Sequence, residues 1–199
     1  MVASSPIGDV GRTLRALLLE GMTSWSVDDD QIALVSPAQF DGDGAGLSLH
    51  LYRVIENAHW ANERPGITGT YDPSAAPLVL ELSYLLTAHP ADSDAVETAD
   101  TLEQHRMLSA AIRTFREHAT VDDPDLIGSL AGGPALQLSV EDADDRVHDV
   151  WSTFADTPYL PSVSYRVTPV VIEPSTVPTD QRVLTTRVEH GTYDQEESP

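Results

Sequence analysis

The sequence predicts an α+β domain: a mixed central sheet of about five strands with about three helices packed on it. Three observations carry this expectation. Leu47, Leu49 and Leu51, and then Leu78, Leu80, Leu82, Tyr84 and Leu86, alternate along two β-rich segments at 47–56 and 77–89. Residues 100–119 show helical spacing instead, with Leu108, Ala111, Ile112 and Phe115 on one face. The order read along the chain, α-β-β-β-α-β-α-β, groups strands together rather than alternating them with helices.

The first helix is "DVGRTLRALLLEGM", where Val10, Leu14, Leu17 and Leu18 share a face, with Asp9 as N-cap and Gly21 as stop. "QIALVSP", 31–37, is a short β-branched strand ended by Pro37. "DGDGAG", 41–46, starts like a calcium loop but has Ala45 and Tyr52 where ligands belong, and reads as a turn. The segment 57–77 between the two alternating strands has little periodicity, yet holds Trp60 and Tyr71. Connections of that length are functional or ordered by a partner more often than passive. Asp100 or Thr101 caps the second helix.

"PALQLSV", 134–140, is a strand, and Ser139 opens an S-x-x-D capping pattern before a helix carrying Val147, Val150, Trp151 and Phe154. The last strand lies in "TPYLPSVSYRVTPVVIE", 157–173, which holds three prolines. Pro169 within it requires an edge position or a bulge. Helix and strand spacing turn Trp151, Phe154, Tyr159 and Tyr165 inward, as structural residues beside Tyr52, Tyr84 and Phe115. Residues 1–173 form the domain. Residues 174–199 read as an acidic C-terminal extension that gains order from a neighbour.

Chemistry is hard to find. The chain has no cysteine, so thiolate nucleophiles, thiolate metal sites and disulfides are excluded. Its seven histidines show neither H-x-x-x-H nor H-E-x-x-H spacing. "GSLAGG", 128–133, lacks the Lys of a phosphate loop. There is no G-x-S-x-G, and nothing marks any carboxylate pair as buried. The expectation is a protein that is not an enzyme and needs no cofactor or metal.

The net charge is −21, from 32 acidic residues against eleven Arg and no Lys. Such a surface repels nucleic acid at ordinary salt. The acid is dispersed along the chain, in "SVDDD", "PADSD", "VDDPD" and "EDADD". Dispersal fits solvation in molar salt, where screening leaves a Debye length of about 3 Å, and fits less well a single patch for a basic partner. Melting in molar KCl should therefore occur well above melting at about 0.1 M salt. Equal melting temperatures would remove the halophilic reading. No apolar run is long enough to span a bilayer and the N-terminus lacks a signal-peptide pattern, so cytoplasmic synthesis without membrane association is expected.

Four blocks, in order, resemble those of one family. "LSLHLYRVIENAHWAN" resembles L-x-L-Y-x-V-x-x-N-x-x-x-R-N, through Leu49, Tyr52, Val54, Asn57 and Asn62, with Ala61 where the family has Arg. "PLVLELSYLLTAHP" resembles P-L-x-L-x-L-x-Y-L-L-T. "EQHRMLSAAIRTFREHA" resembles L-L-G-x-x-M-R-x-L-H-x-x-P, with Arg113 at the Arg and Ala119 replacing Pro. "VWSTFADTPYLPSVSYRVTPVVIE" resembles L-W-S-x-x-x-T-P-Y-x-P-S-V-x-Y-x-V-x-V-V-x-I nearly throughout. The resemblance, over about residues 8–173, is to the tail-cap or tail-terminator proteins of phage-tail-like contractile injection systems, which include antifeeding-prophage-like and virulence-cassette-like particles.

The resemblance implies a tail-terminator-like α+β fold and a homo-hexameric ring. That ring would end the inner tube and anchor the last sheath ring, distal to the baseplate, in a particle that is assembled in the cytoplasm and released. It makes the last strand a scaffold and an assembly edge. In such a ring, the length and aromatic content of loop 57–77 make it the first contact candidate and the tail the next, with Asn57, Trp60, Asn62, Arg64, Tyr71, Arg182 and Arg187 as interface candidates. A different class, a stand-alone acidic binding protein or inhibitor of a halophile, would call for clustered charge, and the charge here is dispersed.

Overall fold

The structure is a computed structural model describing residues 5–23, 27–42, 44–57, 77–91, 97–141 and 144–174. Six strands form one mixed sheet: β1 (Ile32–Ala33), β2 (Gly46–Glu56), β3 (Leu78–His89), β4 (Thr120–Val121), β5 (Leu136–Val140) and β6 (Ser162–Ile172). Their spatial order is β1-β2-β3-β6-β5-β4. β1 runs parallel to β2, and every other pair is antiparallel. The helices are α1 (Pro6–Gly21), α2 (Thr98–Glu117) and α3 (Asp144–Trp151). The expected α+β class holds, and the expected element order holds apart from one added strand after α2. The sixth strand, β4, is only two residues long and carries no alternation to detect.

β3 is the spine. Its residues are buried on both faces from Val79 to His89, except for Glu81, because β2 and β6 flank it and layers cover both sides. One face meets α1 and α2. Leu47, Leu49, Leu82, Tyr84, Leu86, Tyr165 and Val167 pack with Val10, Leu14 and Leu18 of α1 and with Met107, Ala111 and Phe115 of α2. The opposite face is mostly polar, with Ser48, Ser83, Thr87, His89 and Ser164 buried there. The segment following α3 covers it, and the Phe154 ring meets His50 edge-on at 5.7 Å.

Several local expectations need correction. α1 starts at Pro6 after Ser5, so Asp9 lies inside the first turn rather than capping it. Its carboxylate accepts from the Ser129 backbone N–H at 2.8 Å and the Ser129 hydroxyl at 2.6 Å, and pairs with Arg12 at 3.0 Å. The glycine-rich 128–133 segment is thus a clasp on α1. Gly128 has φ +66°, and a Cβ there would stand 2.6 Å from the Asp9 carboxylate. α2 starts after Glu97, whose N–H donates to Asp100 at 3.2 Å, and neither Asp100 nor Thr101 is the cap. Ser139 belongs to β5, and α3 begins five residues later.

The strand expected at 31–37 shrinks to two residues. Leu78, expected inward, is 39% exposed at the start of β3. β6 lies between β3 and β5 in the sheet order, but β5 pairs only with Tyr165–Thr168, so β6 is interior there and pairs with β3 alone from Val170 to Ile172. The alternative expectation, a bulge, accommodates Pro169. The β3–β6 register skips between Leu80↔Val170 and Leu82↔Val167, leaving Thr168 and Pro169 opposite the single residue Glu81.

Candidate assembly interface

β2 ends, β3 begins and β6 ends at one rim of the sheet. Glu56 pairs with Leu80, and Leu78 with Ile172. Asn57 and Ile172 therefore lie at the same rim, although they are 115 positions apart in sequence. Asn57 anchors the start of the connection. Its N–H donates to the Val79 carbonyl at 2.8 Å, and its side-chain amide reaches past β3 to the Thr168 hydroxyl at 3.1 Å. Of the interface residues expected from sequence, Asn57 alone is described, and these bonds give it a role in fastening the rim. Trp60, Asn62, Arg64, Tyr71, Arg182 and Arg187 lie outside the described residues.

At the opposite rim, Gly46 pairs with His89 and Thr87 with Ser162. A groove of about 560 Å³ opens there, lined by Phe40, His89, Gln104, Asp156, Tyr159 and Leu160 among others. His89 is buried, stacks on Phe40 at 4.1 Å, and shares a 2.8 Å hydrogen bond with Ser48. A Ser–His pair invites a nucleophilic reading. Ser48, however, has no exposed surface, so in this structure no substrate carbonyl can approach its hydroxyl. The pair instead ties β2 to β3 at the rim, and Gln104 of α2 donates to the Ala88 carbonyl beside it at 2.8 Å.

Burial pushes the His89 pKa down from its ordinary 6.5 to about 4. The unfolded chain thus binds a proton that the fold rejects between those values. The stability from keeping His89 neutral is full above pH 6.5 and is lost as pH falls to about 4. That loss is expected to be about 3 kcal/mol. Denaturant titrations of the Ser48→Ala/His89→Leu variant should show a flatter slope across this window. An unchanged slope would mean His89 is not the group responsible.

Between the rims, the polar face of the sheet centres on Glu141, just beyond β5. The Tyr52 hydroxyl donates to its carboxylate at 2.8 Å, the Ser164 hydroxyl at 2.9 Å and the Arg166 guanidinium at 3.3 Å. Arg166 also pairs with Glu81 at 3.3 Å. Burial pushes the Glu141 carboxyl up, but the bonds from Tyr52, Ser164 and Arg166 draw it down, and its pKa is lowered. Sequence reading missed this network because its members come from four separate strands or strand ends. The one signal was polar residues on the second face of apolar strands, at Tyr52, Ser164 and Arg166.

The aromatic residues divide. Tyr84, Phe115 and Tyr165 are buried in the main core, with Phe115 edge-on to Tyr165 at 5.0 Å. Trp151 is buried on the other face between Phe154 at 5.6 Å and Tyr159 at 5.2 Å. Tyr159 departs from expectation: it is 64% exposed, because it follows the turn Phe154–Thr157, which returns it against Trp151 rather than into the core. Trp151→Ala should cost about 3–5 kcal/mol, as truncation of a large buried ring does. An unchanged unfolding midpoint with failed assembly would make Trp151 an interface residue instead.

The Pvc16 N-terminal domain family matches residues 9–186, which is nearly the whole chain. The chain belongs to that family. Its fold is shared by solved structures of low sequence identity. The Pvc16 N-terminal domain chain superposes on the sheath/tube terminator of an extracellular contractile injection system, PVC, in its extended state. The TM-score is 0.56 and the identity 18%, over 98% of this chain and 66% of that one. It superposes also on the tube-terminating cap of the anti-feeding prophage, AFP, with a TM-score of 0.52 and 15% identity over 98% of this chain and 62% of that one. This Pvc16 N-terminal domain chain thus spans somewhat under two thirds of the solved terminators' length. No curated protein matches it in sequence. The matched structures are caps and terminators rather than enzymes, and no described helix is long and apolar enough to cross a membrane.

Proposed function

We propose that this protein is the cap of a contractile injection particle. Copies of the chain form a ring, six-fold by resemblance to its family, which ends the inner tube and anchors the last sheath ring. The observation that carries the reading is a terminator fold in which Asn57, at the start of the long connection, and Ile172, ahead of the tail, lie at the same sheet rim. In a ring of such domains, rim segments are what a neighbouring copy, the tube end or the sheath can touch. Loop 57–77 and residues 174–199 are accordingly the proposed contact surface, with Trp60, Asn62, Arg64, Tyr71, Arg182 and Arg187 as its side chains. The dispersed acid is proposed as an adaptation of the particle to high salt. Assembly in the cytoplasm needs neither a membrane nor nucleic acid. Electron microscopy of the purified protein in high salt, alone and with tube and sheath proteins, tests this. Six-fold rings at tube ends are expected. A monomer that leaves tubes unbounded in length would overturn the reading.

A further inference from the structure

α2 presents one outer face unlike the rest of the molecule. At about 100° per residue, Leu102, His105, Arg106, Ser109, Arg113 and Arg116 fall within a sector about 100° wide, opposite Ala111 and Phe115 in the core. That sector holds three of the eleven Arg in a chain of net charge −21, and no carboxylate. All six side chains are wholly or partly exposed, Leu102 at 48%. A shallow groove of about 340 Å³ runs along it between Leu102 and Arg113. Among the described residues, Arg106 and Arg116 have no ion pair, and Arg113 reaches only Glu117, at 4.0 Å with both side chains open to solvent. Elsewhere among the described residues Arg12, Arg15 and Arg166 each face a carboxylate at 3.0–3.3 Å, and Arg53 on β2 stands alone rather than in a cluster. Unpaired cations on one helix face of so acidic a protein call for an anionic occupant.

We propose that this face docks the chain's own acidic C-terminal segment, Asp194–Glu197, with carboxylates on Arg106 and Arg113. Three things favour this occupant. The segment "YDQEES" offers Asp194, Glu196 and Glu197 with no cation among them. The 20 residues from Pro174 to Asp194 reach up to about 65 Å, enough to cross the domain or pass to a neighbouring copy. In the molar salt proposed for the particle the screening length is about 3 Å, so only charges in direct contact govern docking and the −21 total does not prevent it. The proposal holds whether or not copies form a ring.

The absence of cysteine makes the test clean. Ser109→Cys places a thiol in the middle of the stripe, and Gln195→Cys places one in the segment, both in the full chain. Under mild oxidation, in the lowest salt at which the parent chain keeps its fold, the pair should form a disulfide faster than a Ser152→Cys/Gln195→Cys control, whose exposed Ser152 follows α3. A band within one chain reports docking on the same copy and a dimer band docking on a neighbour; either supports the proposal. Adding Arg106→Glu/Arg113→Glu should slow the reaction roughly tenfold, as the loss of two exposed ion pairs would. Asp194→Asn/Glu196→Gln/Glu197→Gln should slow it similarly without touching the domain. A rate equal to the control, or one indifferent to both sets of charge changes, would overturn it.

Discussion

Glu141→Ala is expected to lower unfolding stability by about 3 kcal/mol in denaturant titrations at neutral pH. The substitution strips the acceptor from Tyr52 and Ser164 and leaves Arg166 with Glu81 as its described partner. Breaking a buried pair costs up to about 5 kcal/mol, but Arg166 is 41% exposed and water will solvate part of its charge, which sets the lower figure. Glu141→Gln should cost less, because an amide oxygen still accepts one hydroxyl. The acid limb supplies a second readout. The folded pKa of Glu141 lies below its ordinary 4.5, so its contribution is full above that value and lost as pH falls through the lowered one. Glu141→Ala should therefore lose less further stability than the parent in that range. An unchanged midpoint at pH 7 would show the network to be energetically idle.

Replacing 62–75 with a short Gly-Ser bridge is expected to abolish capping while leaving the domain folded. The bonds that close the rim involve Asn57, Val79 and Thr168, all outside the replaced segment, so circular dichroism should keep its shape. Tube lengths in micrographs should then become unbounded. Tubes of normal length, with rings still visible, would place the interface elsewhere and sink the loop assignment. A lost fold would instead show that 62–75 packs as part of the core.

How far residues announced these features depends on how local each one is. β2, β3 and α1 were legible because leucines repeat at the period of the element that buries them. Pro169 announced a bulge correctly, since a missing N–H has few places in a sheet, but it could not tell an edge from an interior strand. Asp9 looked like a cap because its partner, Ser129, is 120 residues away. The Glu141 network and the Ser48–His89 pair share that cause: each joins residues at least 23 apart, and no window along the chain holds both ends. Tyr159 was misjudged because alternation was extended across Pro158 and Pro161, where the backbone has not yet become a strand. The charge face of α2 was present in the sequence as Arg106, Arg113 and Arg116, but only the placement of Phe115 and Ala111 in the core turned it outward.

The opposed rims of the sheet also set how the domain would respond to pulling. β2, β3 and β6 are each eleven or twelve residues long and run antiparallel across the whole distance from the Asn57 rim to the His89 rim. Their hydrogen bonds lie perpendicular to the strands. Tension applied between a partner held at one rim and a partner held at the other is directed along the strands. It loads all the rungs of the β2–β3 and β3–β6 ladders together, in shear, instead of peeling them one after another. Tension applied crosswise, between the β1 edge and the β4 edge, meets two short strands of two residues each and unzips them first. The domain is a tether that is strong along one axis and weak across it.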